Sequence, residues 1–131
     1  MFDPFIIALQ AGDPTGVIMS LDDAVVLRAA VHDHPFEGVE AAGGILRLVL
    51  EVLHDIEVVD TIESVGRGVI MFRAQIADDP GIADGLLLVG SNDGGKLTEL
   101  TVYLRPLASL QRLAEEIGKG LGAGRPDQDN P

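Results

Sequence analysis

Between Glu57 and Leu104 the chain carries strand-length apolar runs at 57–65, 69–77, 86–91 and 97–104, separated by glycine-bearing breaks. Runs of this length, rich in β-branched residues, read as strands. Asn92-Asp93-Gly94-Gly95 joins the last two, and Asn, Asp and Gly tolerate the positive φ that a tight hairpin requires. The pattern predicts a four-stranded antiparallel meander, whose apolar face has to be covered by other elements.

The flanking segments supply that cover. Phe5 to Gln10 is an apolar helical segment closed by Ala11-Gly12, and Asp13-Pro14 opens a second short helix, with proline at its first position. Ala24 to His32, with Val25, Val26, Leu27 and Val31, has the β-branched character of a strand buried on both faces. His34-Pro35-Phe36-Glu37-Gly38 reads as a turn. Val39, Ala42, Leu46, Val49, Leu50 and Leu53 then recur at helical spacing up to about His54. The pair Gly43-Gly44 inside that helix points to close backbone approach by another element. After Pro106, the residues Leu107, Leu110, Leu113, Ala114 and Ile117 mark a final amphipathic helix that Gly118 and Gly120 should end. The predicted order is ααβαββββα, with helices at 5–20, 39–54 and 107–120.

At 131 residues with 47% hydrophobic side chains, the chain suits one domain with its own core. That domain is expected over 1–121, followed by a disordered tail over 122–131. Nine Lys plus Arg against 21 Asp plus Glu give a net charge of -12, a field that repels nucleic acid and anionic membrane surfaces. The absence of cysteine removes disulfides and thiol chemistry. No apolar run approaches the ~20 residues of a membrane span, and Met1-Phe2-Asp3-Pro4 is not a basic leader. A cytoplasmic location is the expectation.

This order of elements, with Ala8-Leu9-Gln10-Ala11-Gly12-Asp13, Phe36-Glu37-Gly38, Asp93-Gly94-Gly95-Lys96 and the ending Thr101-Val-Tyr-Leu-Arg-Pro-Leu107, resembles the nuclear transport factor 2-like superfamily, and its SnoaL-like members in particular. The resemblance covers about residues 2–121. It implies an α+β, cystatin-like cone, in which a curved antiparallel sheet wraps round helices to leave a mostly apolar pocket. It also implies dimerisation through the outer face of the sheet. The superfamily includes ketosteroid isomerase, limonene epoxide hydrolase, polyketide cyclases and binding or accessory domains, so the fold alone does not name a chemistry. Laid on the isomerase pattern, the phenolic donor falls near Ile6, the protonated acid near Leu87, and the general base at Leu27 or Arg28. None of these can play its part. The epoxide hydrolase pattern needs pocket carboxylates beside an arginine, and the chain departs from that too.

Alternation divides each strand into faces. Ile70, Phe72, Ala74 and Ile76 form one set and Thr98, Leu100, Val102 and Leu104 another, both assigned inward; Leu87 with Val89 joins them. The superfamily register adds Val26, Arg28, Ala30 and His32. The expected pocket is therefore Val26, Arg28, Ala30, His32, Ile70, Phe72, Ala74, Leu87, Val89, Thr98, Leu100 and Val102. Met71, Arg73, Leu86, Leu88, Glu99, Thr101 and Tyr103 are assigned to an outer face that pairs two copies, with Arg73 and Glu99 as a cross-strand charge pair.

Among the pocket residues, Arg28 can clamp an anion or pair with an acid such as Asp23 or Glu63, and His32 can act as base or stand as a structural residue beside Asp33. His32, Asp33 and His34 have poor metal spacing because Pro35 interrupts the strand, so no metal and no cofactor is expected. Three functions follow: a binder of a small lipophilic or aromatic ligand, an enzyme using His32 and Arg28, or a ligand-free accessory dimer. The last predicts a closed pocket.

Overall fold

The computed structural model describes residues 2–124, with side-chain surroundings through Leu121. Two helices, α1 (Asp3–Ala11) and α2 (Pro14–Met19), lead into β1 (Leu21–Arg28) and a two-residue strand β2 (Phe36–Glu37). Helix α3 (Val39–Val52) passes directly into β3 (Leu53–Ser64), followed by β4 (Arg67–Ile76), β5 (Ala83–Ser91), β6 (Leu97–Arg105) and α4 (Leu107–Gly124). The helix expected to stop at Gly120 continues through Gly124; the remainder of the expected tail, 125–131, lies outside the described residues.

The six strands form one curved sheet in the order β2-β1-β6-β5-β4-β3. The predicted meander is present, with β3, β4, β5 and β6 antiparallel to their neighbours. Two features depart from expectation. Strand β1 pairs parallel to β6, so the sheet is mixed, and the segment read as a turn folds back as β2 on β1, pairing Leu27 with Phe36.

Local chemistry explains the joints. Gly12 takes φ 64 and ends α1 in the left-handed conformation. In the β5–β6 turn, the Asn92 amide donates to the Lys96 carbonyl at 2.9 Å, and Asn92 Oδ1 accepts from the Lys96 amide at 3.0 Å. The turn is tied to the N-terminal half by Asn92 Nδ2 donating to Asp22 Oδ1 at 2.9 Å. At Gly43 α3 packs on α2, where a Cβ would stand in ordinary contact, 3.4 Å from Ile18 Cδ1.

The core lies inside the curve of the sheet. It is built from Phe2 and Phe5, Val25 and Leu27, Ile45 and Leu46, the inner faces of β4 to β6, and Leu113 and Ile117 of α4. Each large apolar side chain so buried contributes about 1.5–3 kcal/mol. Among the described residues no polar or charged side chain is buried, and no helix is long and apolar enough to cross a membrane.

Candidate functional site

The expected face of β1 is corrected by the structure. Val25 and Leu27 point inward, at 0% and 1% exposure, while Arg28 is exposed. Leu27 pairs with the buried Leu100, whereas Val26 pairs with Glu99 and Arg28 with Thr101, both on the outer side. The reason is a register shift between Leu21 and Val26: in the run Val25-Val26-Leu27 every residue is apolar, so alternation cannot choose a face. The strand also stops at Arg28, so Ala30 and His32 belong to the loop before β2. Thr98 is displaced in a similar way. An irregularity at Gly90/Ser91 puts Leu97 and Leu100 inward, each 1% exposed, and leaves Thr98 half-buried.

Ile70, Phe72, Ala74, Leu87, Val89 and Leu100 are buried in the core. The void left within the cone is about 20 Å³. Ala30, Phe72 and Val102 from the expected set line it, together with Leu27, Leu53, Leu104, Leu113 and Ile117. A space of this size admits about one water, and its lining offers that water no hydrogen bond.

His32 stands at the mouth. The loop from Arg28 to Phe36 carries it over a cleft of about 420 Å³, walled on the far side by Leu107, Leu110, Gln111 and Ala114 of α4. Its ring meets Phe36 edge-on at 5.0 Å and 87°, and His34 at 6.0 Å and 68°. His32 Nδ1 is inaccessible and without a partner. Burial, followed by the neighbouring His34, lowers the His32 pKa below its ordinary value, against the opposing pull of Asp33. Its surroundings therefore favour the neutral imidazole. His34 turns outward, with Nδ1 3.3 Å from Asp33 Oδ1. Arg28 does not line this cleft, so the two candidate catalytic residues do not share a space. The wall contributed by α4 was not anticipated as part of a site; its stripe of Leu107, Leu110 and Ala114 was legible only as a covering face.

The outer face gathers the set assigned to it. Met71 pairs with Leu86 and Leu86 with Tyr103, while Leu88 pairs with Thr101. Tyr103 is 54% exposed. The expected Arg73–Glu99 pair is absent, because Arg73 lies opposite Asp84 rather than Glu99. Arg73 Nε and Arg105 Nη1 meet the two Asp84 oxygens at 3.3 and 3.0 Å, and Glu99 instead lies over Gly90. A separate open groove of about 790 Å³ runs between α1, α2 and the β5–β6 turn. The cation that lines it, Lys96, is engaged by the Met19 carbonyl.

No protein-family model and no curated protein sequence matches the chain. Solved structures do. A steroid delta-isomerase from Pseudomonas aeruginosa is similar at 24% identity and a TM-score of 0.84, covering 93% of this chain and 89% of that one. An uncharacterised protein with a cystatin-like fold from Silicibacter pomeroyi matches at 18% identity and a TM-score of 0.80, over 90% and 85% of the two chains. A nuclear transport factor 2-like protein of unknown function from Cytophaga hutchinsonii matches at 16% identity and a TM-score of 0.61, over 79% and 85%. At these identities the likeness concerns architecture, and with the curved sheet and its helical filling it gives the chain the cone fold of the nuclear transport factor 2-like superfamily.

Proposed function

We propose that the chain binds a small lipophilic or aromatic molecule at the mouth of the cone and performs no chemistry on it. The observation that carries this reading is that Ala30 and Val31 line both the His32 cleft and the interior void, so the cleft lies directly against a wholly apolar interior. The His32 ring, backed edge-on by Phe36, offers an aromatic surface there, suited to a second ring. Catalysis has less support, since acid–base chemistry needs two positioned groups about one space and Arg28 is on the far side of the sheet. Ile6 and Leu87, at the isomerase-matching positions, carry no donor, so the activity of the Pseudomonas aeruginosa relative is not carried over.

A dimer through Met71, Arg73, Leu86, Leu88, Glu99, Thr101 and Tyr103 and a cytoplasmic setting complete the proposal. The accessory-dimer reading is favoured by one observation, the interior void of only about 20 Å³. Native mass spectrometry of the purified protein, followed by titration with the uncharged fluorophore N-phenyl-1-naphthylamine, tests the choice. Binding that weakens at least tenfold in Asp33→Trp, which puts an indole into the cleft from an exposed position, supports a ligand site. An adduct-free dimer that does not take up the fluorophore supports the accessory reading.

A further inference from the structure

Helix α4 supplies one wall of the interior void, opposite the sheet and beside Ile45, Leu46 and Val49 of α3. Leu113 and Ile117, each 2% exposed, face Leu27, Phe72 and Leu104 across the residual void. The same helix walls the His32 cleft through Leu107, Leu110 and Ala114.

Helix α4 is also weaker than its packing permits. Gly118 lies in its interior, and a Cβ there would meet no atom within 4 Å, so nothing steric demands the glycine and the helix simply bears its low propensity. At Gly120 the helix comes down on α3, where a Cβ would stand 2.7 Å from Leu48 Cδ2. A polar tie to the sheet side runs from Arg112 Nη2 to Asp78 Oδ1 at 2.6 Å, with Asp78 exposed, and an exposed pair of this kind holds little. The other ion pairs of α4, Arg112 to Glu116 at 3.2 Å and Lys119 to Glu116 at 3.1 Å, stay within the helix.

We propose that the last turns of α4 are the present occupant of a ligand site: Leu113 and Ile117 hold the place of an uncharged, hydrocarbon-like molecule, and those turns unwind to admit it. This rests on the binding reading above and sharpens its ligand class. A charged or strongly polar ligand would lose its hydration in the cone without finding a partner. Binding then competes with helix docking, and the apparent affinity is the intrinsic affinity scaled by the undocked fraction.

The test compares N-phenyl-1-naphthylamine affinity in the full chain and in Gly118→Ala, Asp78→Asn and Asp33→Trp, with amide hydrogen exchange along α4. Gly118→Ala strengthens the docked helix and should weaken binding up to about fivefold. Asp78→Asn releases Arg112 and should tighten binding up to about fivefold. Bound probe should speed exchange in α4 while slowing it in the sheet. Affinity unchanged in both helix variants, or α4 exchange slowed by the probe, overturns the plug. Affinity lost in Asp33→Trp but indifferent to Gly118→Ala leaves the cleft reading standing and removes the plug alone. If no variant binds the probe, both readings fall.

Discussion

Gly85 and Phe72 are cross-strand partners on the inner face of the sheet, and the Phe72 ring fills the space a side chain at position 85 would occupy. Gly85→Ala is therefore expected to destabilise the fold by about 1–3 kcal/mol, as overpacking of a filled core does. Adding Phe72→Leu should recover part of that loss, and urea unfolding of the three proteins measures both effects. A neutral single variant would mean that the ring moves aside freely.

His54 and His32 should titrate on opposite sides of 6.5. His54 is bonded to the Ala77 carbonyl and beside Asp55, which raise its pKa. Its contribution to stability is full below pH 6.5 and is lost as pH rises through the raised folded value. Burial lowers the His32 pKa, so its neutral form favours the fold above pH 6.5, and that benefit is lost as pH falls through the lowered value. Imidazole NMR titration gives both midpoints directly; His32 titrating above His54 would refute the assignment.

Arg28→Ala should change stability by no more than about 0.5 kcal/mol, as exposed substitutions away from special features do. It should also leave fluorophore binding unaltered, because Arg28 faces away from the cone. A tenfold loss of affinity would return Arg28 to the site.

Leu88→Glu places a carboxylate in the middle of the outer face beside Thr101. Leu88 is half-buried in the single chain, so the monomer should still fold, while a dimer through this face should dissociate. Sedimentation velocity reads the result. A variant that keeps the dimer mass would move the interface elsewhere.

Much of the sheet was legible because its strands alternate. Phe72, Ala74 and Ile76 are separated by the polar Arg73 and Gln75, and the Asn92–Gly95 turn joins the hairpin it closes. Strand β1 offered no such contrast: its side chains are apolar on both faces, and its neighbour β6 is remote in sequence, so neither its inward face nor its parallel direction followed from local pattern. Thr98 was misplaced because it is the extra residue in the ladder between Leu97 and Glu99, whereas Leu100, Val102 and Leu104 beyond it keep the inner side. The amphipathic face of α4 was visible in Leu113 and Ile117, but the depth to which they enter the cone depends on how near α3 lets the helix approach, through Gly120 and Leu48.

The pairing of Leu27 with Leu100 also sets an order of assembly. As the chain emerges from a ribosome, β1 comes out early, yet the strand that receives it is nearly the last element made. The β3–β4 and β4–β5 hairpins can close locally in the meantime, because their partners are neighbours in sequence. Val25 and Leu27 can be met on one edge by β2, but their other edge stays open until β6 is complete, and long-range closure of this kind is slow compared with hairpin formation. The interval before β6 arrives is the stage of synthesis at which this chain is most open to wrong pairing, and the one at which a chaperone would find it.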